Sequence, residues 1–252
     1  TCSIRNNYYQ KKNQLQSDEY QNFRDTNIKD FNNIILQFIN ETNEMNGVLI
    51  NSNGKKLIQN KSISNKKFSY NNSNNFDDLL SLISKSSFHF GSSTGVDTLA
   101  FAHNIPTALF NTIFGSSFNF INYPSKCIIS PTIMMYKKSQ KIIGLKRNIE
   151  ILKFMEKKFK KDRLDFKDQE NLNIVYKKST KDEMYNLLKE IYLYSRDLLK
   201  LSIKQKKLQN KFWSIYPDIQ KEVLTKKIVS DQKIFKPLIS PYYLKKYEKV
   251  LF

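Results

Sequence analysis

Short apolar groups recur along the first half of the chain and alternate between helix-like stripes and strand-like runs. The clearest stripe begins after Asp25 or Thr26, either of which can cap a helix with its side-chain oxygen. Its apolar residues stand three and four positions apart, the spacing of an amphipathic helix: Ile28, Phe31, Ile34, Ile35, Phe38 and Ile39. Gly47 is expected to end this helix, and the apolar run 48–50 is predicted as a buried strand.

Helix and strand patterns continue to alternate up to about residue 110. A strand-like piece opens the chain at 2–5, and a second helix is predicted at 75–84. Short strands at 88–90 and 107–110 flank a helix of small residues that ends near His103. This order with short connections is typical of a parallel sheet covered on both faces. The sequence therefore predicts an α/β protein with a Rossmann-like, doubly wound parallel sheet.

The second half of the chain has a more helical pattern. One helix is predicted at 145–160, and another begins with a capping box in which Thr180 and Glu183 stand three residues apart. The aromatic residues near the C-terminus are interpreted as anchors that pack the end of the chain onto the domain: Trp213, Tyr216, Tyr242 and Tyr243. Residues 1–165 are thus predicted to form the Rossmann-like core, and 166–252 a mainly helical extension of the same domain.

The chain is strongly basic, with 42 Lys and Arg against 23 Asp and Glu and a formal net charge of +19. A composition rich in Lys, Asn and Ile explains such an excess without any binding role. Attraction to phosphorylated or membrane-bound substrates is a second explanation, and nucleic-acid binding is a third. Lysines greatly outnumber arginines, whereas base readout favours arginine. Nucleic acid is therefore not expected as a partner.

Two further features bear on the compartment. No stretch approaches the roughly 20 apolar residues of a transmembrane helix, and the two cysteines, Cys2 and Cys127, have no CxxC spacing. Neither a disulfide framework nor a zinc site is expected from them. A cytoplasmic location is predicted, with peripheral contact to the anionic inner membrane as a role for the basic surface.

A small-residue turn follows the strand at 88–90: Gly91, Ser92, Ser93, Thr94 and Gly95. A turn of this kind brings backbone N–H groups and hydroxyls to the N-terminus of a helix, where partial positive charge accumulates. A phosphate or diphosphate suits such a place. A tight strand–helix turn that needs small residues for packing alone is the competing interpretation. The turn is neither a Walker loop nor a GxGxxG fingerprint.

Two arginines are candidate phosphate ligands. Arg5 stands at the end of the first predicted strand, where ligands bind to open parallel sheets. Arg24 immediately precedes the first predicted helix. A guanidinium in either place can hold a phosphate in bidentate fashion, although a lone arginine at such a place is more often a surface charge.

Several of these residues, taken in order, carry a resemblance to a known family: Ile4–Arg5, 24–28, Gly54, Asp78, 88–95, Ile105–Pro106 and Asn111. Their order and spacing are similar to a family of bacterial glycosyltransferases that looks like the C-terminal half of GT-B enzymes. A strand-end Arg and a Gly-Ser/Thr-Ser turn are shared with fucosyltransferase-like enzymes. A weaker similarity extends through Asn173, Ser179–Thr180, Glu183 and Met184 to 239–241 and Leu244.

The resemblance implies an enzyme that transfers a hexosyl or fucosyl group from a nucleotide-sugar to a glycan or lipid-linked acceptor in surface polysaccharide synthesis. Arg5 and the turn 91–95 would bind the donor diphosphate, with Asp97 and Asn111 nearby and Arg24 a further donor-site candidate. The nucleotide-sugar is a substrate, so no cofactor is expected. The acceptor site and general base are expected in an N-terminal domain outside this sequence, which makes the chain alone a donor binder and a poor catalyst.

Some positions depart from the family pattern. Asn6 stands where the family tends to carry Asp, Ser52 where an Arg is typical, and Asn104 where a Gly is usual. These replacements predict weaker donor binding. Asn6 and Ser52 also keep open a non-catalytic module that binds a nucleotide or phosphorylated ligand. The positive charge keeps open a third alternative, a basic peripheral protein that binds anionic membranes or nucleic acid.

The sequence contains no clear metal site or general base. Asp77 and Asp78 are adjacent and lack the DxD spacing of metal-dependent transferases, so they are expected to start the helix at 75–84. Transfer is predicted to need no metal. His89 lies within a predicted strand, where alternation points it away from Phe88 and Phe90, and a structural role is expected for it.

Overall fold

A seven-stranded, all-parallel sheet forms the centre of the computed structural model. The structure describes residues 1–4, 26–43, 45–50, 67–71, 75–92, 94–113, 125–159, 164, 166–215 and 236–252. The strands are β1 (Cys2–Ser3), β2 (Gly47–Ile50), β3 (Phe68–Asn71), β4 (His89–Gly91), β5 (Thr107–Thr112), β6 (Cys127–Pro131), β7 (Ile133–Tyr136), β8 (Ile174–Lys177) and β9 (Leu238–Ile239). The helices are α1 (Ile28–Thr42), α2 (Phe76–Ser84), α3 (Gly95–Ala102), α4 (Leu145–Phe159), α5 (Phe166–Asn171), α6 (Lys181–Ser195), α7 (Ile203–Ile215) and α8 (Pro241–Leu251).

The strand order of the central sheet is β3-β2-β1-β4-β5-β6-β9. The chain builds outward from β1 in one direction to β3, then returns to the other side of β1 and continues through β4. This is the order of a Rossmann-like doubly wound sheet, so the predicted fold class is confirmed. The antiparallel pair β7–β8 forms a separate two-stranded sheet, and the sequence patterns did not predict it.

Alternation along each strand divides the core between the two faces of the sheet, because successive side chains point to opposite faces. One row of register partners packs against α1 and α6: Cys2, Leu49, Phe90, Ala108 and Ile128. The next row faces α2, α3, α4, α7 and α8: Ser3, Ile50, Gly91, Leu109, Ile129 and Ile239. Ser3 and Gly91 are the places in this second row without a large apolar side chain, and the candidate site lies around them.

The first predicted helix forms, but its ends differ from the prediction. Asn27 is the N-cap of α1, since its side-chain oxygen accepts the N–H groups of Lys29 and Asp30. The helix ends at Thr42, and Asn43 follows in the left-handed conformation with φ 54°. Gly47 instead begins β2, where a Cβ atom would lie 2.8 Å from side-chain atoms of both Ile39 and Phe68. Its small size therefore serves the packing of α1 on the sheet.

The later helices follow their predicted patterns closely. α2 begins after Asn75 with Asp77 and Asp78 in its first turn, and α4 occupies nearly the predicted range. The capping box of α6 is present, because Thr180 Oγ1 accepts the Glu183 N–H and Glu183 Oε2 accepts the Thr180 N–H. Beyond residue 166 the chain also contributes β8 and β9, and β9 pairs with β6 in the central sheet.

Two buried carboxylates of α6 bind α8. Glu183 accepts the Tyr247 hydroxyl and pairs with Lys246 at 2.9 Å. Burial alone would raise the pKa of Glu183, but the bonds from Tyr247, the Thr180 N–H and Lys246 outweigh it and hold that pKa below its ordinary value. Glu190 caps the start of α8 by accepting the Tyr242 N–H at 2.7 Å, and Glu190 Oε2 has no hydrogen-bond partner in the described part of the chain.

Candidate functional site

The turn after β4 lies at the point where the order of strands reverses. β1 stands between β2 and β4, and the connections from its two neighbours leave in opposite directions along the sheet. In open parallel sheets a ligand crevice forms at this point, outside the carboxyl ends of the strands. The carboxyl ends of β1 and β4 are Ser3 and Gly91, which are register partners. The sequence-predicted turn 91–95 therefore begins at the place where such a fold binds ligands.

The two glycines of the turn have different environments. A Cβ atom on Gly91 would lie 2.4 Å from Asp97 Oδ1 and 2.7 Å from Ser3 Oγ. A Cβ atom on Gly95 would meet nothing within 4 Å, and Gly95 is exposed as the first residue of α3. Neither glycine has a positive φ. Gly91 is thus small because polar side chains pack behind it, whereas Gly95 marks the open side of the turn.

A buried network of polar side chains supports the turn from behind. His89 Nε2 lies 2.8 Å from Asp97 Oδ1, and the Ser3 hydroxyl donates to the same oxygen at 3.2 Å. Ser3 Oγ is also 3.1 Å from His89 Nε2 and 3.2 Å from Thr94 Oγ1. Ser3, His89 and Asp97 are each at most 2% exposed. The network joins β1, β4 and α3 at the switch point.

Asp97 is used within the protein rather than presented to a ligand. Its Oδ1 accepts the bonds from Ser3 and His89, and its Oδ2 accepts the N–H of Thr94, the N-cap of α3. The sequence places Asp97 near the donor, and the structure places it directly behind the turn. Its contacts assign it the part of a positioning residue that fixes where α3 begins.

His89 points away from Phe88 and Phe90, as alternation along the strand predicts. It is fully buried, and its Nδ1 lies 3.1 Å from Thr1 Oγ1 while Nε2 faces Asp97. Both ring nitrogens are therefore within hydrogen-bond distance of protein oxygens. The imidazole therefore supports the turn from inside the protein and does not face a crevice.

The hydroxyl residues of the turn are placed unequally. Ser92 is fully buried, so its side chain lies inside the protein. Thr94 is half-buried, with its hydroxyl directed to Ser3. Ser93, Arg5 and Arg24 lie outside the described residues, so their roles at the diphosphate stay predictions.

Asn111 connects the carboxyl end of β5 to the start of α6. It adopts the left-handed conformation with φ 53° at a register shift between β5 and β6, and it is 1% exposed. Its Oδ1 accepts the N–H of Ser179 at 2.7 Å, just before the capping box of α6. This side-chain oxygen is thus used to hold the start of α6 at the same edge of the sheet.

The N-termini of α1 and α6 also meet near this edge. Lys181, the first residue of α6, pairs with Asp30 in the first turn of α1 at 2.9 Å. Sequence reasoning identified the capping box of α6 but did not place it beside β5. The signal that could have done so is the Thr180–Glu183 box itself, because helices in this architecture start at the carboxyl edge of the sheet. Helix N-termini facing one edge favour an anionic ligand there.

One departure from the family pattern has a simple structural explanation. Asn104, at a position where the family usually carries glycine, has a φ of 52°. Asparagine adopts this left-handed conformation more readily than most residues. Its Oδ1 also accepts the Ser125 N–H at 2.8 Å. Asn6 and Ser52, the other two departures, lie outside the described residues.

Across the described ranges, no three or more His, Cys, Asp and Glu side chains come together as a metal-binding group. Among the helices of these same ranges, none combines the length and apolar character needed to cross a membrane.

Comparison with known proteins identifies no match for this chain. No protein-family model matches the chain, and no curated protein or solved structure is similar enough to count as a match. The geometry of the site therefore carries the functional argument.

Proposed function

We propose that the chain is the nucleotide-sugar-binding half of a GT-B-type glycosyltransferase, and that the donor diphosphate binds at the turn 91–95. The observation that carries the proposal is the position of this turn. It begins at the strand-order reversal, leads into the N-terminus of α3 and is open at Gly95. In this class of sheet, that is where phosphate groups meet backbone N–H groups and the positive end of a helix.

The chemistry of sugar transfer suits such a site. When the glycosidic bond of a nucleotide-sugar breaks, negative charge grows on the diphosphate leaving group. Fixed N–H groups at a helix start stabilise that charge without reorganising. The network of Ser3, His89 and Asp97 contributes by holding the turn in one position. Arg5, two residues after β1, is proposed to add a guanidinium to the same diphosphate.

A charge variant at Gly95 gives a direct test. Calorimetric titration with UDP-, GDP- and CMP-sugars at moderate salt is expected to show binding of one donor class. Gly95→Asp places a carboxylate at the open side of the turn, where it favours the helix but repels a diphosphate. We expect this variant to fold normally and to bind donor at least about tenfold more weakly. Gly95→Asn is the neutral control of the same size.

Arg5→Ala provides the second arm of the test. Loss of donor binding in this variant, with the fold unchanged by circular dichroism, supports a guanidinium at the diphosphate. Equal donor affinity in the wild type, Gly95→Asp and Arg5→Ala would refute the proposed site. Binding that follows only polyanion charge and collapses as salt rises would favour a basic surface of general affinity.

A second candidate is a binding module without transferase activity. The observation favouring it is that His89 and Asp97, an imidazole and a carboxylate beside the turn, are both buried and committed to internal bonds. Neither is presented as a general base. Donor binding without sugar transfer to glycan or lipid-linked acceptors, tested on a longer chain with any preceding domain, would favour the module.

A further inference from the structure

The outer face of α4 carries two exposed phenylalanines among lysines. Phe154 and Phe159 are 50% and 48% exposed, and their ring centroids lie 6.2 Å apart in an edge-on arrangement. Lys158 Nζ stands over both rings, at 5.4 Å from the first centroid and 5.1 Å from the second. With the exposed Lys153 and Lys157, these residues define the α4 aromatic-basic face.

The two phenylalanines are not needed to attach α4 to the domain. The helix already buries a full apolar stripe in the core: Leu145, Ile149, Ile151, Leu152 and Met155. A single exposed apolar residue is ordinary on a protein surface, whereas two adjacent exposed aromatics with a cation over their rings indicate an interaction surface. The aromatic-basic face is therefore a candidate for a partner that is both apolar and anionic.

The charges on α4 indicate that the partner is anionic. Five of its residues are cationic and two are acidic. One of the acidic residues, Glu150, pairs with Arg147 at 3.0 Å. Lys158 stands over both rings, and Lys157 is the exposed residue before it in the sequence, so an anionic surface would meet these cations while the rings enter an apolar layer. The face is therefore on a different helix from the candidate donor site, which is the turn 91–95 at the start of α3.

We propose that the α4 aromatic-basic face binds an anionic lipid surface. Lysines attract acidic headgroups over a distance of a Debye length, and phenylalanine rings add affinity by entering the boundary between headgroups and acyl chains. The cations are mostly lysine, which acts as a point charge on headgroups, whereas nucleic-acid readout favours arginine. The face is the exposed side of a single helix. The proposal stands independently of the donor site.

Vesicle sedimentation with the whole chain tests this surface. We expect binding to vesicles of phosphatidylcholine mixed with phosphatidylglycerol, weakening as salt rises, and little binding to phosphatidylcholine alone. Lys157→Gln with Lys158→Gln should lower the partition coefficient about 25-fold, since each lysine near an anionic surface is worth roughly fivefold. Phe154→Ser with Phe159→Ser should lower it roughly tenfold through lost apolar burial.

Matched variants elsewhere on the surface distinguish binding through this face from binding through the overall positive charge of the chain. Lys29→Gln with Lys85→Gln removes the same formal charge from two exposed positions outside α4. Phe76→Ser removes a phenylalanine that is 58% exposed but stands before Asp77 and Asp78. Both controls should keep wild-type binding within about twofold, because neither lies on the aromatic-basic face. Thermal unfolding of every variant checks that the fold is retained.

Three outcomes would overturn the proposal. The first is no preference for anionic vesicles, and the second is equal loss of binding in the α4 variants and their controls. The third is binding to a single-stranded oligonucleotide, but not to vesicles, that depends on Phe154 and Phe159, which would assign the face to nucleic acid. Donor binding measured by calorimetry should be unchanged in the α4 variants, so failure here is distinct from failure of the donor site.

Discussion

Replacing Gly91 with alanine tests how the turn after β4 is built. The added Cβ atom would lie 2.4 Å from Asp97 Oδ1, 2.7 Å from Ser3 Oγ and 3.1 Å from His89 Nε2. Ordinary contacts of a methyl group with oxygen are about 1 Å longer than the first of these distances. The carboxylate cannot simply swing away, because its other oxygen holds the N–H of Thr94.

The expected cost follows from these contacts. An extra methyl group in a well-packed site costs about 1–3 kcal/mol, and a displaced buried hydrogen bond adds about 1 kcal/mol. We therefore expect Gly91→Ala to lower the free energy of unfolding by about 2–4 kcal/mol, which lowers Tm by roughly 5–10 °C in a chain of this size. Gly91 has no positive φ, so backbone strain is not part of this cost.

Gly95→Ala is the matched control. Nothing lies within 4 Å of a Cβ atom at this position, and its φ is also one that alanine can adopt. Alanine at such a position stabilises a protein by about 0.4–1 kcal/mol, chiefly by restricting the unfolded chain. Urea unfolding followed by circular dichroism should thus give effects of opposite sign for the two glycines.

A double-mutant cycle identifies the atom responsible. If the added methyl clashes with the Asp97 carboxylate, Gly91→Ala should cost clearly less in an Asp97→Ala background than in the wild type. Equal unfolding free energies for Gly91→Ala and Gly95→Ala, or strict additivity in the cycle, would refute the packing described behind the turn. On the proposed function, Gly91→Ala should also weaken donor binding, because the turn moves with the carboxylate that holds it.

Further predictions concern Glu190 of α6 and Asn111 of β5. Burial raises the pKa of Glu190 from 4.5 to about 7, so its ionised form opposes folding, and stability should fall as the pH rises from about 4.5 to about 7. At about 1.4 kcal/mol per pH unit, Glu190→Gln should be more stable than the wild type by up to about 3 kcal/mol at pH 8 and equal to it near pH 4; parallel stability curves would contradict this. Asn111→Ala should cost about 2 kcal/mol, since it loses the bond to Ser179 and strains a residue with φ 53°, and Asn111→Gly should recover part of this cost. Equal unfolding free energies for these two variants would exclude the backbone contribution.

The sequence predicted the elements whose signals are local. The apolar stripe of α1, the capping box of α6 and the alternation of Phe88, His89 and Phe90 all appear as expected. Each depends on spacings of two to four residues, which follow from the geometry of a helix or strand. The place of the turn 91–95, after a strand and before a helix, is local in the same sense. The ends of α1 were predicted less well, because several residues within a few positions of each other can cap or end a helix.

Long-range pairing required the folded chain. The strand order, the β7–β8 pair and the entry of β9 into the central sheet join segments far apart in sequence, and short apolar runs do not specify their neighbours. The network behind the turn joins Ser3 to residues more than eighty positions away. The chain by itself determined which residues form the turn and which helix follows it. Only the tertiary structure decided that Gly91 faces a packed carboxylate while Gly95 faces open space, because that difference depends on atoms that β1 and α3 bring to the end of β4.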